Sequence, residues 1–223
     1  MKLKAFYCTI LGLSFLLMVV TAACHKEEVG KIESWESFDG YYWCEGEKVP
    51  LTRTVGQNYV IFYSANEDEF RNELTEIGYE LSHISSERKE FYSISCDMTG
   101  SGVKKFTNYK TATITGVEPN SIYSIYPLLS RSTAYLYAAP FYLSGNGNLL
   151  MITEQFSVKL KSKTKLTQLE HLAKDYSVEI MGADKYSKGW YILACTKYSS
   201  YHALIMANRF YQSGLFEEVR LDL

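Results

Sequence analysis

Five cysteines and four histidines are the side chains of this chain best suited to metal binding or nucleophilic chemistry. The histidines, His25, His83, His171 and His202, fall in different expected elements, so no two of them share a ligand or catalytic spacing. His171 and His202 read as helix-surface residues. Beyond the leader, Cys44, Cys96 and Cys195 remain, and none sits in a CxxC or Cys/His cluster of the kind that holds zinc. An odd count in an oxidising compartment leaves at least one thiol unpaired, or paired with another chain. Each is expected as a small buried hydrophobe at a strand end. HExxH, GxSxG and GxxxxGK are all missing from the sequence. The carboxylates of "ANEDEF" suit a helix N-terminus, where negative charge meets the dipole, and "SGNGN" suits a hairpin turn. The expectation is a chain without catalytic residues, metal or cofactor.

One cysteine does carry a chemistry. Lys2 and Lys4 precede an apolar run from Ile10 to Val20, and Thr21, Ala22 and Ala23 then lead to Cys24. That order reads as a secretory signal over residues 1–23, with an apolar run too short to remain as a spanning helix. "TAAC" resembles a bacterial lipobox, in which the cysteine thiol is acylated with palmitate-type chains and becomes the first mature residue. Thr21 stands where leucine is commonest, and an ordinary cleaved signal with an incidental cysteine is the alternative. Each acyl chain contributes roughly 0.8 kcal/mol per buried methylene, so two or three hold a soluble domain on a membrane. Lys26, Glu27 and Glu28 resemble the signal that sends some lipoproteins of Gram-negative bacteria to the cell surface. Residues 24–37 are polar and lack apolar periodicity, as a tether would. The expected address is the outer membrane, exposed at the surface and held there by lipid.

The balance of 23 Lys plus Arg against 25 Asp plus Glu leaves no basic field for nucleic acid. Nineteen tyrosines and eleven phenylalanines beside four prolines favour sheets with amphipathic faces. An α+β chain of two related modules is expected, over residues 38–130 and 131–223. "YVIFYSANEDEFRNELTEIGYELSHISSERKEFYSISC" (59–96) can be laid beside "FSVKLKSKTKLTQLEHLAKDYSVEIMGADKYSKGWYILAC" (156–195). Each reads strand, helix, strand, hairpin loop, strand, Cys.

In the first copy Asn66 is the expected N-cap, Phe70, Leu74 and Ile77 the apolar stripe, and Gly78 the stop. In the second, Ser199 is expected to cap a further helix, and Gly214 releases the chain into a strand over Phe216 to Leu221. Strand, helix, strand, strand, helix, strand is the ferredoxin-like βαββαβ order, whose last strand pairs beside the first. Val219 and Leu221 should face the helices there, and Glu218 and Arg220 the other side.

The first copy is expected as an incomplete or modified version with extra β-hairpins. "FDGYYWCEGEKVPL" should turn at Glu45 and Gly46, strand-like runs occupy Tyr109 to Thr115 and Ser121 to Leu128, and "VEPN" turns between them. "TAYLYAAPFYL", "GNGN" and "LLMI" make another hairpin, assigned to the C-terminal module. Trp190, Ile192 and Ala194 alternate with Tyr191, Leu193 and Cys195, apolar on both sides, so both faces of that strand should be covered. The first module or a foreign protein could supply the second cover.

"YYWCEGEKVPL", "QFSVKLK" and "WYILACTKYSSYHALIMANRFYQSGLFEE" resemble the N-terminal propeptide region of subtilisin-like serine peptidases from surface-lipoprotein-displaying bacteria. The similarity spans nearly the whole mature chain, and its most specific piece is "MANRFYQSGLFEE". The catalytic signatures of that family, a DTG or DSG turn, HGTH and GTSMA, are absent from this sequence, so its hydrolysis is not carried over. What the resemblance implies is a domain that packs a sheet face on a peptidase and feeds its C-terminal segment into the cleft. The expected function is therefore a non-enzymatic surface lipoprotein that inhibits or chaperones a secreted or surface peptidase in trans. Glu218, Arg220, Asp222 and Leu223 would be the partner-binding residues. A surface module binding protein or glycan, or a remnant of a longer precursor, stands as the alternative.

Overall fold

The computed structural model describes residues 40–95, 103–116, 125, 126, 129 and 131–222, which belong to one compact unit, Trp35–Leu223. The leader, Cys24, Lys26, Glu27, Glu28, Cys96 and Leu223 lie outside the described residues. β1 (Tyr41–Cys44) and β2 (Glu47–Tyr63) form the first hairpin. Its turn is the expected Glu45–Gly46 pair, with φ of 51° and 85°. Two successive positive φ values match the right-handed twist of the flanking strands. A 3₁₀ turn, Ser64–Asn66, leads into α1 (Glu67–Glu76), which ends before Gly78 at φ 81°. Asn66 does not cap α1; its amide donates instead to the Glu69 carboxylate at 2.6 Å.

β3 (Tyr79–Ser82), β4 (Arg88–Ser95), β5 (Val103–Gly116), β6 (Tyr135–Ser144) and β7 (Leu149–Met151) complete a seven-stranded antiparallel sheet. Its order is β3-β5-β2-β6-β7, with β1 on β2 and β4 on β5. The β6–β7 hairpin, expected with the C-terminal module, is laid along β2 and so belongs to this sheet. Of the run expected as a strand over Ser121 to Leu128, the described Ile125 and Tyr126 are helical. Ile125 and Leu129 stand one helical turn apart, and both are buried in the same core.

The rest of the chain is β8 (Gln155–Leu160), α2 (Leu166–Asp175), β9 (Glu179–Ala183), β10 (Trp190–Ala194), α3 (Ala203–Gln212) and β11 (Phe216–Leu221). They form a four-stranded antiparallel sheet in the order β11-β8-β10-β9. The closing strand pairs as expected, Phe216 opposite Leu160 and Leu221 opposite Phe156, with one bulge between Phe216 and Glu218. The architecture is α+β.

The internal echo is present in the topology, but in another register. β10 lies between β8 and β9; its equivalent between β2 and β3 is β5, not the segment ending at Cys96. β4 is an added strand that pairs with the first half of β5, so laying "FYSIS" beside "WYILA" matches strands with different places in their sheets. With β4 set aside, the first sheet reads β6-β2-β5-β3 and the second β11-β8-β10-β9, the same order built from the same succession of strands.

Alternation explains how the sheets stack. Along β2, Val60 and Phe62 enter a core with Phe70 and Leu74 of α1, while Tyr59 and Ile61 enter the second core on the opposite face. That second core also holds Leu169 of α2, the buried side of α3, and Phe156 and Val158 of β8. α3 is therefore buried nearly all round, from Ala203 to Asn208 and again at Phe210. Lying between two sheets, it keeps a single charged residue, the half-buried Arg209, whose guanidinium lies 4.9 Å from the centroid of the Tyr201 ring.

This order of layers overturns the idea that the first module covers the second face of β10. The large sheet meets α3, on the helix side. Trp190, buried, Ala194, buried, and Ile192, half-buried, point the other way and belong to neither core.

Candidate functional site

Alternation in β8 sends Phe156 and Val158 into the core and Gln155, Ser157 and Lys159 to the outer face of the small sheet. Register then fixes their neighbours. Lys159 stands opposite Glu218 on β11 and Trp190 on β10, and Ser157 opposite Arg220 and Ile192. The charged side chains join into one chain of contacts. Lys159 Nζ reaches Glu217 at 3.1 Å and Glu218 at 3.6 Å. Arg220 Nη2 donates to Glu218 Oε2 at 2.9 Å, and its guanidinium carbon lies 4.2 Å from the centroid of the Trp190 ring.

The hydrogen bond that Lys159 donates to Glu217, followed by the fields of Glu217 and Glu218, holds its ammonium above its ordinary value. Exposed ion pairs such as these contribute little to stability. The Arg220–Trp190 stack is different, because the indole is only 6% exposed. Contacts of this kind contribute roughly 0.5–2 kcal/mol as water is excluded. The face thus carries a buried indole roofed by Arg220 and rimmed by charges of both signs.

Beside it, a cavity of about 310 Å³ separates the β1 turn from β11, with Trp43, Glu45, Tyr211, Glu218 and Arg220 in its walls. Trp43 stacks on Tyr211 at 4.4 Å, and Asn208 and Gln212 of α3 donate to Tyr41. These bonds hold the hairpin against the end of α3. Of the residues expected to meet a partner, Glu218 and Arg220 come together here. Asp222 does not: its carbonyl accepts a hydrogen bond from Thr153 Oγ1 at 2.9 Å, at the far end of β11. Leu223 is outside the described residues.

Three expectations about reactive side chains change. His202 is not on a helix surface but buried at the N-cap of α3, beside Tyr142. The first amide of α3 is capped from the other sheet, by the Tyr137 hydroxyl at 3.2 Å, because Ser199 is engaged in its own turn with Thr196 and Ser177. Cys44 is exposed, since the hairpin turn leaves its side chain outside the core. Cys195 is buried as expected, and burial pushes its thiol far above the range in which it reacts. Among the described residues no group of three His, Cys, Asp or Glu side chains is placed to hold a metal ion.

One titratable cluster went unread in the sequence. Glu154, in the link between β7 and β8, has a carboxyl raised above its ordinary range, first by burial and then by Asp222, against the lowering effect of Gln155 and Arg88. Its carbonyl accepts from Cys195 N–H at 2.8 Å. The buried hydroxyls of Tyr59 and Tyr137 are raised by burial, and the Glu154 field adds to both. A lone acidic residue before a strand gives no hint of this.

The sign follows directly: the folded state holds the Glu154 proton more tightly than the unfolded state, so stability falls as pH rises above the ordinary carboxyl value of about 4.3. Glu154→Gln is predicted to unfold at the same urea concentration as wild type near pH 4 and at a higher one at pH 7. An unchanged difference across that range would remove the buried-carboxyl account.

No protein-family model matches this chain, and no curated protein matches it.

Proposed function

We propose that this chain is a non-enzymatic surface lipoprotein whose C-terminal module is a ferredoxin-like, propeptide-type binding domain. It docks the outer face of its small sheet on a subtilisin-like peptidase and inhibits that enzyme or templates its folding in trans. Acyl groups on Cys24 hold it to the outer membrane, with Lys26, Glu27 and Glu28 directing it to the cell surface. The observation that carries the proposal is the cluster of Arg220, Glu218 and Lys159 laid over the buried Trp190 indole, on a sheet face that neither core reaches. Aromatic and arginine anchors ringed by polar groups are what protein-binding hot spots are made of. The strand order β11-β8-β10-β9 supports the module type, and Glu218 and Arg220 lie on the face that would meet the partner.

A second reading, a surface module that binds other proteins or glycans, is favoured by Tyr186 at 97% and Tyr198 at 73% exposure. Exposed tyrosines offer contact area at little entropic cost.

The test is titration of the purified protein into secreted subtilisin-like peptidases, following both substrate hydrolysis and recovery of activity on refolding. Inhibition or improved refolding at micromolar protein is expected, weakened at least tenfold by Arg220→Glu. No effect from the wild type on either readout would rule out the peptidase partner. Binding that ignores Arg220→Glu would move the contact off this face.

A further inference from the structure

The large sheet ends on one side at β7, a strand of only Leu149, Leu150 and Met151. Two of these three side chains stand in solvent, Leu149 at 56% and Met151 at 40% exposure. They share a face with Leu143, half-buried across the pair. From Ser132 to Thr153 the chain carries no charged residue at all. Edge strands are ordinarily protected by lysines, prolines, inward-pointing charges or short length. Here only shortness remains.

The hydrogen-bonding direction of the edge can be read from its turn. Ser144 N–H donates to the Asn148 carbonyl at 2.9 Å, which makes 144 and 148 a bonded pair. Bonded and non-bonded pairs alternate in an antiparallel ladder. Leu150 therefore bonds inward to Tyr142, and Leu149 and Met151 turn their N–H and C=O groups outward. Two outward residues flanking one inward residue are self-complementary.

We propose that β7 is a homodimerisation edge, pairing antiparallel with β7 of a second copy about a two-fold axis at Leu150. That axis sets Leu149 opposite Met151 of the second copy and Met151 opposite its Leu149, closing four backbone hydrogen bonds. The same step packs the exposed leucine and methionine side chains against one another. A second copy is the occupant that fits, because an isologous contact needs one patch complementary to itself, and an uncharged edge sets no like charges face to face. Three residues make a small contact, so the dimer belongs to the weak, transient class.

Sedimentation velocity of the purified protein is expected to show a weight-average mass climbing toward twice the monomer as concentration rises into the range of about 0.1–1 mM. Leu149→Lys combined with Met151→Lys, both at exposed positions, should abolish the climb while leaving the far-UV spectrum unchanged. Hydrogen exchange adds a signature peculiar to this register. The amides of Leu149 and Met151 should become protected as concentration rises, and the amide of Leu150 should not. A monomer at every concentration, or a dimer that survives the double substitution, overturns the proposal. Capture of a different protein through β7 by a monomeric chain also counts against it.

Discussion

Phe210→Ala is expected to cost about 3–5 kcal/mol, the range for an aromatic side chain deleted from a packed core. Phe210 is fully buried on α3. Its ring meets Phe156 edge-on at 5.1 Å, stacks on Phe216 at 5.6 Å and lies 6.3 Å from Tyr176. Phe156 and Phe216 come from adjacent strands of the small sheet, so a void at Phe210 opens at the junction of three elements and cannot collapse by moving one of them. The same core includes Tyr59, Ile61 and Ala139 of the large sheet. The loss should therefore lower the stability of both sheets together. In urea, tryptophan fluorescence and far-UV ellipticity should move to a lower midpoint with coincident curves. Separate transitions by the two probes, or a loss under about 1 kcal/mol, would show that α3 does not couple the sheets.

The second large effect needs the removal of one oxygen. Tyr137→Phe is expected to cost about 1–3 kcal/mol, because it leaves buried polar groups without partners. Tyr137, on β6, is buried. Its hydroxyl donates to the Thr153 carbonyl at 2.9 Å and accepts from Ala203 N–H at 3.2 Å. That amide opens α3, where the first N–H groups of any helix lack partners within it. Phenylalanine fills the same space, so the cost isolates the hydrogen bonds from packing. Native-state exchange of the Ala203 amide should quicken in the variant. A variant within about 0.5 kcal/mol of wild type would mean that both groups find other partners.

Much of the C-terminal half was legible because each element carries its own local signal. Leu169 and Ala173 mark a helical stripe, Gly214 at φ 74° marks a stop, and alternation in "QFSVKL" separates core from surface. Register between β8 and β11 then follows from matching apolar positions, and with it the neighbours of Glu218 and Arg220. The first half was misread where two segments compete for one role. "RKEFYSIS" and "YKTATITG" both have strand composition, and only pairing decides that the second lies between β2 and β3.

Local pattern was equally silent on contacts made across the sheets. The Ser199 cap looked sound by sequence, yet the helix begins three residues past the position it would need, at Ala203, and Tyr137 from 66 residues away supplies the partner. His202 and Glu154 are buried for the same reason, by elements distant in sequence. Lys159 could have been found beforehand, since placing 216–221 against 156–160 brings it between Glu218 and Trp190.

The shared strand order has a geometric consequence. Each copy is a slab with unlike sides, ridged helix on one and pleat on the other, and the two are set nose to tail, so that the pleat of the first rests on the ridges of the second. A mirror or two-fold pairing would have matched like with like and left no remainder. A polar row always has two unlike ends, and among the described residues its trailing end is the pleat bearing Trp190 and Arg220. Two sheet-and-helix slabs stacked in this sense leave one surface over, with nothing of its own kind behind it.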